Sequence, residues 1–311
     1  MPRIGYFGPE GTFTEQATRS FCTDAGPIPP DSALVPLETI GTALDAVRAG
    51  EVEAACVPVE NSVEGSVAAT LDALVSGEPL VAVAETVLPI RFTVLVRPGT
   101  TAADVRTVAT HPHAAAQVRN WLSEHLPGAT VLPASSTAAA AVGVGRGEFD
   151  AAVAAPPAAE RYPLDVLASN IADVRDAVTR FLLVRRPGTL PERTGADRTA
   201  LAAVTADRIG ALSEVLTELA AHGINMTRIE SRPTRNRLGE YRFFVDFEGH
   251  VADARVGATL AALRRRCTEV RFLGSFPRAD KVPNTVLPTN ADTDFAAAAK
   301  WLEDVRAGHS A

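Results

Sequence analysis

Lysine is almost absent from this sequence of 311 residues: Lys281 and Lys300 are the only two, and both lie near its end. Enzymes that form a Schiff base with a carbonyl substrate or with pyridoxal phosphate need a lysine in the folded core. A Walker A phosphate loop needs a Gly-Lys pair, which does not occur. The sequence therefore argues against both of these classes.

The sequence also has no long apolar run and no recognisable leader, and its cysteines are odd in number. No apolar stretch is long enough to cross a bilayer, so we expect no membrane partner. No basic segment followed by an apolar one precedes the first predicted strand, so we expect no secretory signal. Cys22, Cys56 and Cys267 are scattered, which is typical of core thiols in a reducing compartment. These features predict a cytoplasmic protein.

Positive charge is scarce in the first part of the chain. Residues 1–197 contain 14 Arg and 23 Asp or Glu, a balance of −9, whereas residues 198–277 contain 12 Arg and 9 Asp or Glu, a balance of +3. Neither part has the basic surplus of a nucleic-acid-binding protein, so no nucleic acid partner is expected. His111 and His113 are followed by no acidic residue or cysteine at ligand spacing, so we expect no metal site.

Predicted strands and helices alternate from residue 3 onward, which favours a parallel α/β sheet covered by helices. Two apolar runs follow each other at residues 80–88 and 91–96, and we interpret them as the chain crossing between two α/β lobes with a cleft. The other predicted strands are 3–7, 33–36, 54–59, 106–110, 130–132, 151–154 and 180–185, and the predicted helices are 13–22, 39–49, 66–75, 113–125 and 136–146.

A segment rich in proline and glycine, residues 186–195, predicts a linker. After it the predicted order is β-α-β-β-α-β, which is typical of a ferredoxin-like domain. Beyond that, Pro, Asn, Asp and Thr accumulate, which predicts a loose tail with a short helix at 295–305. We therefore expect a first domain at 1–188 with a crossover near 78–96, a linker at 189–197, a second domain at 198–277 and a tail at 278–311.

Three segments carry polar side chains next to predicted strands, and the second of them follows a strand end, where ligands collect in parallel sheets. They are GPEGTFTEQA at 8–17, VPVENSVEGSV at 57–67 and VTRFLLV at 178–184. In the first, Thr12 or Thr14 can cap a helix whose free N–H groups suit an anion. From the pattern alone, the first segment could equally be an ordinary capped turn, the second a polar loop, and the third a strand edge with a solvated Arg.

Taken together and in this order, the three segments resemble the prephenate dehydratases. The later residues GALSEVL (210–216) and ESRP (230–233) resemble two motifs of the ACT domain. The resemblance covers residues 3–277. It implies a two-lobed catalytic domain similar to periplasmic binding proteins of the second type, followed by a ferredoxin-like ACT domain that senses phenylalanine. No chorismate mutase domain is expected ahead of the first strand.

The resemblance also implies site residues. The family's essential threonine corresponds to Thr179, with Arg180 and Phe181 beside it as the catalytic triplet. The substrate-binding residues implied are Thr12, Thr39, Glu60, Asn61 and Ser62, of which Thr39 is the weaker match. The effector-binding residues implied are Gly210, Ala211, Leu212, Asn225, Glu230, Ser231, Arg232 and Pro233.

The chemistry implied is the loss of carbon dioxide and the ring hydroxyl from prephenate, which gives phenylpyruvate. Aromatisation drives this reaction, so no cofactor is expected as an electron sink. Thr179 suits a hydrogen-bond donor to the leaving hydroxyl, and Glu60 is a second acid candidate. Arg180 would bind the pyruvyl carboxylate, because binding the departing one would slow the reaction, or it has a purely structural role.

Three alternatives remain open from the sequence. Arogenate could be the substrate instead of prephenate. The chain could be a non-catalytic small-molecule binding protein of the same fold, or a regulator in which only the ACT domain is active. Because ACT domains commonly pair, we also expect self-association as a dimer or tetramer.

Overall fold

Strands and helices alternate along the first part of the chain, in agreement with the periodicity of its apolar residues. The computed structural model describes residues 1–235, 237 and 239–309. Thr12 and Thr39 cap the first two helices, because each side-chain oxygen accepts a backbone N–H from the first turn. The elements up to the crossover are β1 (Arg3–Phe7), α1 (Phe13–Phe21), β2 (Ala33–Leu37), α2 (Ile40–Ala49), β3 (Ala54–Asn61), β4 (Gly65–Ser66), α3 (Ala68–Leu74) and β5 (Val81–Pro89).

The middle of the chain forms a second sheet with its own helices. Its elements are β6 (Thr93–Val96), β7 (Thr107–Thr110), α4 (Pro112–Gln117), α5 (Arg119–His125), β8 (Thr130–Pro133), α6 (Thr137–Gly145), β9 (Ala151–Ala154), α7 (Pro157–Arg161) and β10 (Asp165–Ser169). The strand order is β10-β6-β9-β7-β8. The strand β11 (Val178–Arg185) then returns to the first sheet and pairs antiparallel with β3.

The chain divides into two units. The first comprises Met1–Ala73 and Thr86–Arg186, and the second comprises Leu74–Glu85 and Pro187–Ala311. Within the first unit, we call β1 to β4, β11 and α1 to α3 the first lobe, and β6 to β10 with α4 to α7 the second lobe. The prediction of two α/β lobes is confirmed by these two sheets.

Two neighbouring crossovers connect the lobes. The first runs through Ile90 and Phe92, and the second occupies residues 170–177. Ile90 N–H donates to Ala177 O at 2.7 Å, and Ile171 N–H donates to Phe92 O at 3.2 Å. The two connections are therefore hydrogen-bonded to each other at the base of the cleft.

The prediction of a single helix at 113–125 is wrong in one respect, because the structure has two helices that meet at Val118. Val118 has φ −127° and ψ 11°, and its side chain is fully buried in the second-lobe core. Asp173 of the second crossover accepts the N–H groups of Asn120 and Trp121, so it caps α5 from outside the helix. A capping group 52 residues away in sequence leaves no local signal.

The helix α7 and the strand β10 were not predicted. The strand β10 is at the edge of the second sheet, and its five residues are partly or fully exposed. An edge strand that buries no continuous face shows neither an apolar run nor a strict alternation.

The second unit has the predicted β-α-β-β-α-β order. Its elements are β12 (Asp197–Val204), α8 (Ala211–Ala221), β13 (Met226–Pro233), β14 (Tyr241–Glu248), α9 (Ala254–Arg266) and β15 (Glu269–Pro277). The antiparallel order β13-β14-β12-β15 leaves β13 paired with β14 alone. One face of this sheet packs on α8 and α9 through buried residues such as Leu201, Val245 and Leu263.

Residues after Pro277, which composition predicts to be loose, make several contacts with the rest of the second unit. The side chain of Arg255 is almost fully buried, and its Nη1 donates to Gly223 O and Thr285 O at 2.9 and 3.1 Å. Arg278 binds Glu248 at 2.9 Å. A final helix, α10 (Asp292–Arg306), spans the predicted short helix. Ser310 and Ala311, at the end of the predicted tail, lie outside the described residues.

Candidate active site

A cavity of about 210 Å³ opens between the two lobes of the first unit. Its walls combine hydroxyl and amide side chains with an aromatic and aliphatic patch. The first lobe contributes Phe7, Gly8, Thr12, Phe13, Thr14, Pro58, Asn61, Thr179 and Phe181, the first crossover contributes Ile90 and Phe92, and the second lobe contributes His111, His113, Ala114, Gln117, Ser135, Ser136 and Thr137.

Thr179 and Asn61 lie opposite each other on β11 and β3. Asn61 Oδ1 accepts the N–H groups of Val63 and Glu64 at 2.8 and 3.0 Å, so the amide NH₂ must face the other way. Asn61 Nδ2 then donates to Thr179 Oγ1 at 2.7 Å. Thr179 therefore acts as the acceptor in this bond, and its own hydroxyl hydrogen remains available for a molecule in the cavity.

Arg180 points to the other side of β11, because successive side chains of a strand alternate between its faces. Thr179 and Phe181 line the cavity, whereas Arg180 does not. Arg180 Nη1 lies 3.3 Å from Glu60 Oε2, and the arginine side chain is only 9 % exposed. The structure thus brings Thr179, Phe181 and Asn61 together in the cavity and places Arg180 and Glu60 in a separate ion pair.

The remaining predicted residues of this domain occupy two kinds of position. Ser62 Oγ accepts Val178 N–H at 2.9 Å and Ser62 N–H donates to Val178 O, so Ser62 holds the start of β11 against β3. Thr12 lines the cavity at the N-cap of α1. Thr39 is an exposed N-cap of α2 in a capping box with Thr42 and does not line the cavity.

Several cavity residues had no sequence signal strong enough to select them. Gln117, at the end of α4, is 7 % exposed, and within the described part of the chain its Oε1 has no hydrogen-bond partner. A buried polar atom without a partner costs about 1–3 kcal/mol of stability, so this amide is not explained by packing alone. The sequence pattern of α4 does not single out Gln117, because a buried position beside a cavity cannot be told from a core position without the structure.

His111 and His113 also line the cavity, with their rings stacked at 5.2 Å. Burial, together with the neighbouring His113, lowers the pKa of His111, so its ring is neutral at physiological pH. His113 Nδ1 lies 3.2 Å from Glu64 Oε2 of the first lobe. Across the described residues, no three His, Cys, Asp or Glu side chains are grouped in a way that could hold a metal ion.

The predicted effector residues lie at both ends of the second-unit sheet. Gly210, with φ +82°, caps α8, followed by buried Ala211 and half-buried Leu212. Strand register joins Val204 to Arg242 and Arg242 to Arg232, so this end of β12 and the residues Glu230, Ser231, Arg232 and Pro233 share one end of the sheet.

Asn225 is at the opposite end of the same sheet. Its Nδ2 donates to Glu248 Oε1 at 3.2 Å, and Arg278 binds the same oxygen. At the rise of an extended strand, Asn225 and Pro233 are separated by about 25 Å. One amino-acid ligand therefore cannot contact both motifs and Asn225 within a single chain.

In the described part of the chain, no helix is both long and apolar enough to cross a membrane. The family model described as "Prephenate dehydratase" matches residues 4–189, and the model described as "ACT domain" matches residues 200–265. A curated prephenate dehydratase of Amycolatopsis methanolica is 61% identical over 312 residues, which covers 100% of both chains.

Two solved structures are similar over most of the chain. One is a prephenate dehydratase in complex with L-Phe from Arthrobacter aurescens, with 47% identity and a TM-score of 0.90, covering 97% of this chain and 99% of that one. The other, named GqqA and described as a novel type of quorum quenching acylase, has 32% identity and a TM-score of 0.78, covering 88% of this chain and 97% of that one.

Proposed function

Because the chain belongs to the prephenate dehydratase family, we propose that its cleft cavity converts prephenate to phenylpyruvate. The observation that carries the assignment to this cavity is the Asn61–Thr179 hydrogen bond, which leaves a donor hydroxyl free at the wall. Thr179 belongs to the triplet that resembles the family's essential threonine motif.

The reaction needs only one hydrogen-bond donor directed at the leaving hydroxyl. The bond from the ring to its carboxylate breaks, carbon dioxide leaves, and the bonding electrons enter the ring. The C4–O bond breaks at the same time, and the hydroxyl leaves as hydroxide, which takes a proton from solvent to become water. Because aromatisation supplies the driving force, no cofactor is required as an electron sink.

Thr179 assists the departure of the hydroxyl by hydrogen bonding. A threonine hydroxyl is too weak an acid to transfer its proton fully. Donation from Asn61 into Thr179 Oγ1 polarises that hydroxyl and strengthens the hydrogen bond it makes to the leaving oxygen. Negative charge develops on the leaving oxygen in the transition state. The hydrogen bond from Thr179 therefore stabilises the transition state more than the ground state, as catalysis requires.

Arg180 and Glu60 act on the position of Thr179 in this proposal and do not contact substrate. Their ion pair joins β11 to β3 immediately beside the Thr179–Asn61 pair, at a point where the strand register shifts. Such a bulge redirects neighbouring side chains, so a pair that holds it fixes the direction of the Thr179 hydroxyl.

The departing carboxylate needs surroundings that do not hold its charge. Phe13 of the first lobe and Phe92 of the first crossover meet edge to face at a ring separation of 5.7 Å. Together with Ile90 and Phe181 they form an apolar wall. A carboxylate against this wall is destabilised relative to neutral carbon dioxide, which favours its loss.

Phenylalanine is the proposed feedback inhibitor, bound in the ACT domain at residues 198–277. In this proposal residues 1–188 form the catalytic domain and residues 189–197 link it to the ACT domain. Residues 278–311 form the tail. Because Gly210 and Asn225 lie at opposite ends of one sheet, a site that uses both needs a second copy of the chain. The edge strand β13, paired on one side only, offers a surface for that copy.

The proposed dimer or tetramer predicts a mass above that of one 32.6 kDa chain in light scattering at micromolar concentration. A monomer that still binds phenylalanine would contradict the shared site. We also propose a cytoplasmic location, which agrees with three cysteines that form no disulfide.

The activity is tested by mixing the purified chain with prephenate, without added metal or cofactor, and following phenylpyruvate by its absorbance in alkali. Arogenate is assayed in parallel as the alternative substrate. Its product would be phenylalanine, so the two activities can be told apart. Stoichiometric binding without turnover would indicate a binding protein instead. An acylase would hydrolyse an amide and leave prephenate unchanged.

A further inference from the structure

The strand β5 belongs to both units of the chain. Its residues 81–85 fall in the second unit, and its residues 86–89 fall in the first. We propose that β5 carries the effect of phenylalanine from the second unit to the catalytic cavity, and that the ion pair of Glu85 with Arg198 attaches it to the ACT domain. This inference rests on the proposed function and names the segment that couples its two sites.

The second-unit part of β5 is held by a buried charge pair. Arg198 Nη1, on β12, lies 2.7 Å from Glu85 Oε2, and the two side chains are only 12 % and 2 % exposed. The other carboxylate oxygen of Glu85 accepts Ala279 N–H at 2.9 Å. Separating a buried ion pair leaves uncompensated charges, so Glu85 follows Arg198 when β12 moves.

Arg271 of β15 holds the loop that leads into β5. Its Nη1 donates to Val75 O and its Nη2 donates to Gly77 O, each at 2.6 Å. Gly274, further along β15, pairs in parallel with Ala82 of β5. A displacement of β12 or β15 within the second unit therefore displaces this loop and the start of β5 as well.

The first-unit part of β5 leads directly to the catalytic cavity. The hydroxyl oxygens of Thr86 and Ser20 lie 3.3 Å apart, next to α1, whose N-terminal residues line the cavity. Ile90 follows the strand; its N–H donates to Ala177 O at 2.7 Å, and its side chain lines the cavity. At the rise of an extended strand, Glu85 and Ile90 are about 17 Å apart, so one short segment connects the ion pair to the cavity wall.

An extended segment transmits a displacement because it cannot be stretched. The rise of a strand is close to the greatest length that a residue can span. A displacement of Glu85 away from the cavity therefore moves Ile90 or breaks its hydrogen bond to Ala177. In this proposal phenylalanine binds more tightly to the arrangement of the second unit in which Ile90 is displaced, and activity falls.

Glu85→Gln keeps the size of the side chain and removes the charge that binds Arg198. Calorimetry should give a phenylalanine Kd within about twofold of wild type, and kcat without phenylalanine should be unchanged. At saturating phenylalanine the wild type should lose most of its activity, whereas Glu85→Gln should keep more than about half of it. Full inhibition of Glu85→Gln would overturn the proposal. Loss of phenylalanine binding would make Glu85 part of the effector site and would also overturn it.

Two further variants separate coupling from stability. Arg271→Lys keeps the charge but loses the two-pronged contact with the loop before β5, and it should also reduce inhibition without weakening phenylalanine binding. Should Glu85→Gln fail to fold, full inhibition of Arg271→Lys would overturn the proposal on its own. Glu218→Gln is the matched control, because Glu218 of α8 forms its ion pair with Arg266 of α9, and it should be inhibited like wild type.

Hydrogen exchange tests the coupling without phenylalanine. Because coupling between two sites is reciprocal, phenylpyruvate bound in the cleft should change amide exchange in β12 of the wild type by about threefold or more, and should not do so in Glu85→Gln. Unchanged exchange in wild-type β12 would overturn the proposal. A wild type whose β12 responds to phenylpyruvate but whose activity ignores phenylalanine would refute the proposed feedback and support coupling through β5.

Discussion

Thr179 differs from Thr12 and Ser136, two other hydroxyl side chains of the cleft, in what its hydroxyl is free to do. Thr12 Oγ1 donates to Pro9 O and accepts Glu15 N–H, so both of its functions serve the start of α1. Ser136 is similarly committed to capping α6. Thr179 accepts from Asn61 and still has its own hydrogen to donate.

At this residue we predict that Thr179→Ala lowers kcat on the order of 10²–10³-fold, because the leaving hydroxyl loses its donor. The KM for prephenate and the Tm should change little. Thr179→Ser is the matched control, since it keeps the hydroxyl, and it should retain most of the activity. Steady-state kinetics of the three proteins checks this, and a normal kcat for the alanine variant would remove Thr179 from the mechanism.

Gln117 should show opposite effects on stability and activity. Gln117→Met keeps the side-chain volume and removes the unpartnered Oε1, so the free energy of unfolding should stay equal or rise by about 1 kcal/mol. The kcat/KM should fall about tenfold, because the cavity wall loses a polar side chain. Gln16→Met on the exposed face of α1 is the control and should change neither quantity. A destabilised variant with normal kinetics would show that Gln117 is structural.

At the scale of elements, single polar and small residues join strands that are distant in sequence. Asp150 precedes β9, and its carboxylate accepts the N–H groups of Arg106 and Thr107 at 3.0 and 2.9 Å, beside the start of β7. These bonds, the Arg106 N–H first, lower the pKa of Asp150 below its usual value.

The lowered pKa predicts a pH-dependent contribution to stability. The charged carboxylate contributes above pH 4, the ordinary range of Asp, and its contribution is lost as the pH falls through the lower pKa of the folded state. Asp150→Asn should therefore reduce the free energy of unfolding by about 1 kcal/mol at pH 7 and have a smaller effect at pH 3. Urea unfolding at both pH values measures this, with exposed Asp24→Asn as the control. An equal loss at both pH values would contradict the charge-based explanation.

Gly274 makes the close approach of β15 to β5 possible. Its φ of +138° is rare for other residues, and a Cβ atom would lie 2.3 Å from Ala82 O. Gly274→Ala should lower the free energy of unfolding by more than about 2 kcal/mol, from a clash and backbone strain together.

Gly257, inside α9, is the matched control, because the nearest atom to its Cβ position would be 3.9 Å away. Gly257→Ala should be neutral or stabilising by about 1 kcal/mol, since alanine favours helices. Thermal unfolding of both variants decides this. Equal stability changes would mean that β15 can move away from β5 at little cost.

At the scale of the whole molecule, the two proposed sites belong to different units. An effector can change activity from such a position only by binding more tightly to one of two states of the protein. Calorimetry should therefore show that phenylalanine binds wild type and Thr179→Ala equally, although only wild type has activity to inhibit. Gly210→Ala, which strains a φ of +82°, should weaken phenylalanine binding and leave uninhibited kcat unchanged. Loss of phenylalanine binding in Thr179→Ala would instead place the ligand in the cleft.

The sequence by itself determined the elements with strong local signals. Alternation and apolar periodicity predicted β1 to β3, α1, α2 and the β-α-β-β-α-β order, because these patterns report which face of each element is buried. The order of the motifs along the chain indicated the family. The capping role of Thr12 was also predictable, since a cap acts within one turn of its own helix.

Only the tertiary structure decided which side chains meet. It separated Arg180 from Thr179 on the two faces of one strand, and it placed Gln117 and the start of α6 in the wall of one cavity. It also divided the predicted helix at Val118 through Asp173, and it placed Asn225 at the far end of the sheet from Gly210. The physical reason is that periodicity reports burial within one element, whereas a site is formed by contacts between elements and carries no repeating signal along the chain.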